Sequence, residues 1–250
     1  WEVVDAAQGS SLRELELPPP PRALTYATIV HGWREDAERW LASVRAHPGA
    51  ADWEALLVDN SGQGAGEGLA DGDRVRVVAL DPPLGWAEAA NAGLAAAAGE
   101  TVILFDPGTE LEGEVAGPLL AALAAPGVVA AGLSGVRGQG TLKHFHADAG
   151  PVVDAIEGYC LAFRRAQALE AGGFDRRFRF YRIADFEFTV RLRDRFQGDA
   201  VVVSGLPVAK HAHRLWEALP EDEREKLSKR NFYRFLDRWG ERSDLVVGNR

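Results

Sequence analysis

Apolar residues arrive along this chain in two alternating rhythms. ALTYATIV (23–30) is a β-rich run that ends at His31-Gly32. REDAERWLASVRAH (34–47) then places Ala37, Trp40, Leu41 and Val44 at helical spacing, and Pro48-Gly49 stops the helix. WEALLVDNSG (53–62) predicts a second strand that ends in Asp59, Asn60 and Ser61 before a Gly-rich loop. RVRVVAL (74–80) predicts a third, closed by Asp81-Pro82-Pro83. GWAEAANAGLAAAAG (85–99) reads as an Ala-rich helix with Gly at its end. TVILF (101–105) is a fourth strand, GPLLAALAAP (117–126) a helix and GVVAAGL (127–133) another strand. The alternation predicts an α/β fold, an open and mostly parallel sheet flanked by helices.

The second half is less regular. Residues 141–165 hold TLKHFHAD and a strand-like IEGYCLAFRR, and GGFD (172–175) is a turn. From Asp185 the pattern turns helical, with Asp185 itself where an N-cap would sit. AVVVSG (200–205) is a strand, VAKHAH (208–213) is extended, and EDEREKLSKRNFYRFLDRWGER is a last helix. The first 17 residues read as a short arm, and Pro18 to Pro21 as a stiff break, because each ring fixes its backbone angle and removes a donor. The expected organisation is an arm and Pro-rich linker over 1–21, a main domain over 22–215 with halves 22–133 and 134–215, and a C-terminal helix within 216–250 packed on that domain.

Composition changes this picture little. The chain has 250 residues, 46% of them hydrophobic and 26% charged, an ordinary globular balance. A formal net charge of -9 argues against a broad nucleic-acid surface, which needs a basic face. One cysteine, Cys160, rules out an intrachain disulfide and a Cys-rich metal site, and fits a reducing, cytoplasmic setting. No apolar stretch reaches the roughly 18 residues that cross a bilayer. ALAAPGVVAAGL (122–133) is broken by Pro126 and Gly127. A chain that starts at Trp1 and holds no Met is expected to be a trimmed or processed segment.

Open α/β sheets bind ligands outside the carboxyl ends of their strands. Those ends carry His31, Asp59-Asn60, Asp81 and Asp106. Any one of them is unremarkable, since Asp and Asn favour turns. Several at successive ends of one sheet point to a site. VILFDPGTEL (102–111) is the sharpest case, an apolar run that stops at a carboxylate.

Taken in order, several segments resemble the family 2 glycosyltransferases, inverting and rhamnosyltransferase-like enzymes of the GT-A nucleotide-sugar fold. They are ATIVHGWREDAERWLASV, LLVDNSG, PLGWAEAANAGLAAAAGETVILFDPGTEL, GYCLAFRRAQALEAGGFDRRF and FYRIADFEFTVRLRD. The resemblance covers roughly residues 24–240. It implies a single Rossmann-like GT-A domain that moves a hexosyl-type sugar from a nucleoside-diphosphate donor to an acceptor hydroxyl. It implies a cytoplasmic enzyme of cell-envelope polysaccharide synthesis, with a peripheral place at the inner face of the membrane as an option. The donor is UDP-, GDP- or dTDP-linked, the acceptor a saccharide, a lipid-linked sugar or another hydroxyl. The resemblance admits peripheral membrane contact and a homodimer, and includes no nucleic acid.

The resemblance also implies roles. Asp59 and Asn60 would meet the base or ribose, with His31 and Glu35 in the first loop and Gly85, Trp86 and Asn91 near the donor. Asp106 matches the first acid of the Asp-x-Asp motif, which holds Mg²⁺ or Mn²⁺ against the donor diphosphate, while Gly108 stands where the second acid belongs. His211 matches a late metal-binding His, with His213 two residues on. Asp185 matches the general base, in an Ala184-Asp185-Phe186-Glu187 stretch that has lost its first acid. Arg164 and Arg165 either face the phosphates or are exposed, and Gly158 opens the strand where backbone approaches sugar. The spacing His144-x-His146 repeats that of His211-x-His213, and four His can make a zinc site, though nothing here demands one. The lost acids leave a second reading open: a catalytically degenerate GT-A module that binds nucleotide or sugar for a larger protein or complex. A nucleotidyltransferase would need a Gly- and Lys/Arg-rich loop after the first strand, and TIVHGWRED is not one. The last helix sets Leu227, Phe232, Phe235, Leu236 and Trp239 beside several Lys and Arg, a stripe that either packs on its own domain or lies on a membrane.

Overall fold

A computed structural model describes residues 21–148 and 150–249. The N-terminal arm and all of the Pro-rich linker before Pro21 lie outside the described residues. The first half runs β1 (Arg22–Val30), α1 (Arg34–Ala46), β2 (Trp53–Asp59), β3 (Val75–Ala79), α2 (Trp86–Ala96), β4 (Gly99–Phe105), β5 (Thr109–Leu111), α3 (Ala116–Ala124) and β6 (Val128–Gly132). The second half adds β7 (Gly135–Gly138), β8 (Phe145–Asp148), β9 (Val152–Val153), β10 (Ala155–Ile156), β11 (Cys160–Arg164), α4 (Arg165–Glu170), α5 (Ala184–Phe196), β12 (Asp199–Val202), β13 (Val208–Lys210), α6 (Arg214–Glu217) and α7 (Glu221–Trp239).

Eight strands form the main sheet in the order β3-β2-β1-β4-β11-β6-β12-β9. The pairs β3/β2, β2/β1, β1/β4 and β6/β12 are parallel, and β11 runs antiparallel between β4 and β6. The fold is therefore α/β with a large, mostly parallel sheet, as the sequence pattern predicts. Parity along β1 explains its layers. Successive side chains point to opposite faces, so Ala27 and Ile29 join one core cluster with α2 and α5, while Leu24, Tyr26 and Val30 join another with α1 and α3. With both faces covered, the strand reads as a nearly continuous apolar run.

The irregular second half resolves into small antiparallel units. β10, β7 and β8 form a three-stranded sheet, and β13 pairs with β5 just beyond Asp106. The last helix turns its stripe inward: Phe235 and Trp239 are buried in the core cluster that holds α5, with Leu236 packed against it. Among the described residues no helix is long and apolar enough to cross a membrane.

Candidate functional site

β1 and β4 are neighbours, yet the chain goes on from β1 to β2 on one flank and from β4 to β6 on the other, so the strand order reverses between them and makes a topological switch point at their carboxyl ends. A cleft opens there. His31 comes from the end of β1, Asp106 from the end of β4, Glu157, Gly158 and Tyr159 from the entry to β11, and Tyr181, Arg182 and Asp185 from the entry to α5. His213 and Arg214, at the start of α6, complete the polar lining.

Asp106 is mostly enclosed, its side chain 14% exposed. Its Oδ1 accepts the Gly108 N–H at 2.8 Å. Its Oδ2 lies 2.7 Å from His213 Nε2, but without the alignment of a hydrogen bond, so that buried nitrogen has no hydrogen-bond partner. The His213 ring is fixed independently. It stacks on Tyr181 with centroids 4.1 Å apart, and its Nδ1 accepts the Trp216 N–H at 3.3 Å. Gly108 has a local reason to be glycine. A Cβ there would meet Asp106 Oδ1 at 2.9 Å and the Ala212 carbonyl oxygen at 3.0 Å. The 211–213 segment that crowds Gly108, whose carbonyl accepts the His211 N–H at 2.7 Å, delivers His213 to Asp106.

Asp185 lies at the second position of α5 rather than at its N-cap, which is Ile183. Ile183 has φ 69°, a left-handed conformation that costs a β-branched residue about 1–3 kcal/mol and turns the chain into the helix beside the cleft. The Asp185 carboxylate accepts the Gly158 N–H at 2.7 Å and the Phe186 N–H at 2.9 Å. Burial pushes its pKa up to about 6, with Glu157 adding to the rise and the two N–H donors and Arg182 opposing it. His31 is deeply enclosed, its Nε2 unpartnered, and burial depresses its pKa to about 4 against the pull of Asp106. Tyr159 and Tyr181 are held protonated, chiefly by burial.

The structure places several other residues named from the sequence away from this lining. Asp59 is buried, and its carboxylate is consumed by its own loop: Oδ1 accepts from Ser61 N and Oγ at 3.0 and 2.5 Å, Oδ2 from Gly66 N at 2.7 Å. Burial raises its pKa, and those bonds outweigh it and bring the value below the usual carboxylate range. Asn60 exchanges two hydrogen bonds with the Leu84 backbone, at 3.0 and 2.7 Å, and Asn91 does the same with Phe174 at 2.8 and 2.7 Å. Both amides act as peptide mimics that pin loops. Gly85 is the N-cap of α2 and packs against Arg179, while Trp86 reaches the cleft and meets Phe174 edge-on at 5.3 Å. Glu35 is exposed and pairs with Arg214, whose Nε also lies 3.3 Å from Asp36. His211 is not in the cleft lining; its Nε2 bonds Glu110 at 2.8 Å. Arg164 and Arg165 donate to backbone carbonyls of Val128, Leu94 and Ala95, at 2.8, 3.0 and 3.0 Å. Among the described residues no group of three or more His, Cys, Asp or Glu is gathered to hold a metal ion.

Sequence reasoning singled out His31, Trp86, Asp106, Gly158, Asp185 and His213, which share the cleft. It did not assign roles to Asp36, Glu157, Tyr159, Tyr181, Arg182 or Arg214, which line it too. Glu157, Tyr159, Tyr181 and Arg182 lie on connections with no periodicity to read, and Asp36 and Arg214 sit in the first turns of α1 and α6. Their one common sign is adjacency to a motif residue.

A large, mostly parallel sheet with helices packed on both faces is the architecture of the GT-A fold. Solved structures agree at the level of fold. GalNAc-T7 with UDP, GalNAc and Mn²⁺ is similar at TM-score 0.68 and 16% identity, over 90% of this chain and 49% of that one. The mannosyltransferase PcManGT of Pyrobaculum calidifontis, in complex with GDP-Man and Mn²⁺, gives 0.59 and 18%, over 90% and 66%. S. aureus TarS 1-349 gives 0.55 and 15%, over 86% and 72%. The chain thus spans about half the length of the first and two thirds of the second. No curated protein matches its sequence significantly. The family described as Glycosyl transferase family 2 matches residues 29–188, and the chain belongs to that family.

A divalent cation is implied by this fold family. Asp106 and His213 fit the protein side of such a site. They offer one oxygen and one nitrogen donor, close together, and the nitrogen is an orphaned buried atom. Mg²⁺ and Mn²⁺ complete their shells with water and substrate phosphate, so two protein donors suffice.

Proposed function

We propose that the chain transfers a sugar from a nucleoside-diphosphate donor to an acceptor hydroxyl with inversion, and that Asp185 is the general base. One observation carries the reading. Two acids 79 positions apart in sequence are tied to consecutive residues: Gly158 N–H holds the Asp185 carboxylate at 2.7 Å, and the Tyr159 carbonyl accepts the Asp106 N–H at 3.2 Å. The cleft between them has a diphosphate side at Asp106 and a base side at Asp185.

Inversion needs a base that removes the acceptor proton on the face opposite the leaving group. A carboxylate with a pKa near 6 is ionised at neutral pH, yet basic enough to take that proton as attack proceeds. Its two N–H bonds fix its direction, and the Ile183 turn fixes its place. Asp106 and His213 would hold Mg²⁺ or Mn²⁺, which supplies charge neutralisation at the leaving diphosphate. Trp33 and Trp86 give the cleft apolar walls that limit water at the anomeric carbon.

The test is calorimetric titration of UDP, GDP and dTDP, each with Mn²⁺ and with chelator, followed by assay of nucleoside-diphosphate release from the matching sugar donor. Tight cation-dependent binding with release supports the proposal and names the donor class. Binding without release, over a range of acceptors, favours the degenerate binding module, for which Gly108 and Ala184 are the sequence warrant. No binding of any of the three overturns both.

A further inference from the structure

We infer, resting on the transferase reading, that the acceptor carries a phosphate ester, held by Arg182 and its neighbouring guanidiniums beside Asp185. The chain is acidic overall, at net -9, and the cleft itself presents Asp36, Asp106, Glu157 and Asp185. Against that background Arg182 lines the cleft and has further arginines beside it. The 177–182 segment supplies Arg177, Arg179 and Arg182, and it is sewn to α7, which supplies Arg224 and Arg234. Asn231 donates to the carbonyls of Phe180 and Arg182 at 2.7 and 2.9 Å, and Arg234 donates to the Arg177 carbonyl. Among the described residues, only Arg177 of these five cations has a carboxylate at ion-pair distance, Asp175 at 2.7 Å.

Arg182 and Arg224 are ordered in another way. Each guanidinium lies 5.1 Å from the ring centroid of Trp216. Stacking on an aromatic ring fixes a guanidinium plane without neutralising its charge or using its N–H donors. Arg224 Nε is buried and has no hydrogen-bond partner. Two pre-ordered forks with free donors suit a phosphate. Arg214, the other arginine of the cleft, is by contrast already engaged by Glu35 and Asp36.

Arg182 is placed for the acceptor rather than the donor. It lines the cleft three residues before Asp185, on the segment that leads into α5. Glu157 and Asp185 repel an anion from the base itself, so a phosphate is driven toward Arg182 while the hydroxyl faces Asp185. The charges thus orient the acceptor as well as bind it.

The experiment loads the protein with the nucleoside diphosphate it binds, which occupies the donor phosphate site, and titrates glycerol 3-phosphate against glycerol at low salt. The phosphate ester is expected to bind and glycerol not to. Arg182→Gln should weaken the ester about tenfold, the loss of one charge-assisted contact, and Arg224→Gln several-fold. Nucleoside-diphosphate affinity should stay within about twofold in both variants. Vesicles of phosphatidylglycerol, compared with phosphatidylcholine, separate the sources. Retention on the anionic vesicles assigns the phosphate to a lipid headgroup, and binding of the soluble ester alone assigns it to a soluble acceptor. Absence of binding to both the ester and the anionic vesicles overturns the inference and leaves the transferase reading intact. Loss of nucleoside-diphosphate binding in Arg182→Gln also overturns it, because the arginines would then serve the donor.

Discussion

Replacing Asp185 with Asn tests the base through the stability of the fold as well as through turnover. The carboxyl titrates at about 6 in the folded chain against an ordinary 3.8, a rise of about two units caused first by burial. At about 1.4 kcal/mol per unit, the folded state holds the ionised form at a cost of about 3 kcal/mol. The sign follows from linkage. Below the unfolded value both states are protonated and the protein pays nothing. As pH rises toward 6 the unfolded chain ionises first, so stability is lost, and above 6 the full cost is present. Asn does not titrate. Its lost acceptor at Gly158 or Phe186 adds an offset, but one that does not vary with pH. The stability difference between wild type and Asp185→Asn should therefore drift by about 3 kcal/mol in favour of the variant from acid to neutral pH, about 2 of it between pH 4.5 and 7.5. For a chain of this size that full drift is about 6–12 °C in Tm. Denaturant melts of both proteins across that range read it directly. A flat difference would refute the buried-base argument, whatever happened to activity. In the same variant nucleoside-diphosphate release should fall by about 10²–10⁴, the usual yield of a positioned base, and the acid limb that the wild-type rate shows near pH 6 should be absent.

Three further outcomes follow from the geometry. His213→Ala should weaken nucleoside-diphosphate binding with Mn²⁺ at least tenfold and leave metal-free binding nearly unchanged in calorimetry, whereas His211→Ala, which loses only the Glu110 contact, should change neither by more than about twofold. Asp59→Asn leaves Ser61 or Gly66 donors unpaired and should cost about 1–3 kcal/mol in denaturant melts at pH 7; because the folded carboxylate is depressed, that stabilisation should fade as pH falls below the ordinary carboxylate range. Asn91→Ala removes both hydrogen bonds to the Phe174 backbone and should lower stability by about 2 kcal/mol without altering the metal dependence of nucleotide binding.

What could be read from the sequence divides along a physical line. Buried strands and amphipathic helices leave a periodic record, so β1 to β4 and their helices are legible, and with them the switch point that makes Asp106 worth attention. A polar side chain leaves no record of its direction. Asp59 ends a strand as Asp106 does, and only the structure shows that Ser61 and Gly66 saturate it while Asp106 keeps an oxygen toward His213. The same holds for VAKHAH. Alternation puts both histidines on one side of an extended segment, but the strand β13 ends at Lys210 and α6 begins at Arg214, so the intervening turn separates His211 toward Glu110 from His213 toward Asp106. Gly108, which reads as a lost ligand, also packs closely on Ala212, whose carbonyl oxygen a Cβ at 108 would approach to 3.0 Å. The apparent gap in the motif and the arrival of His213 are one packing arrangement. An acid placed at 108 would have to displace the segment that carries His213, so Gly108→Asp should weaken cation-dependent nucleotide binding rather than strengthen it.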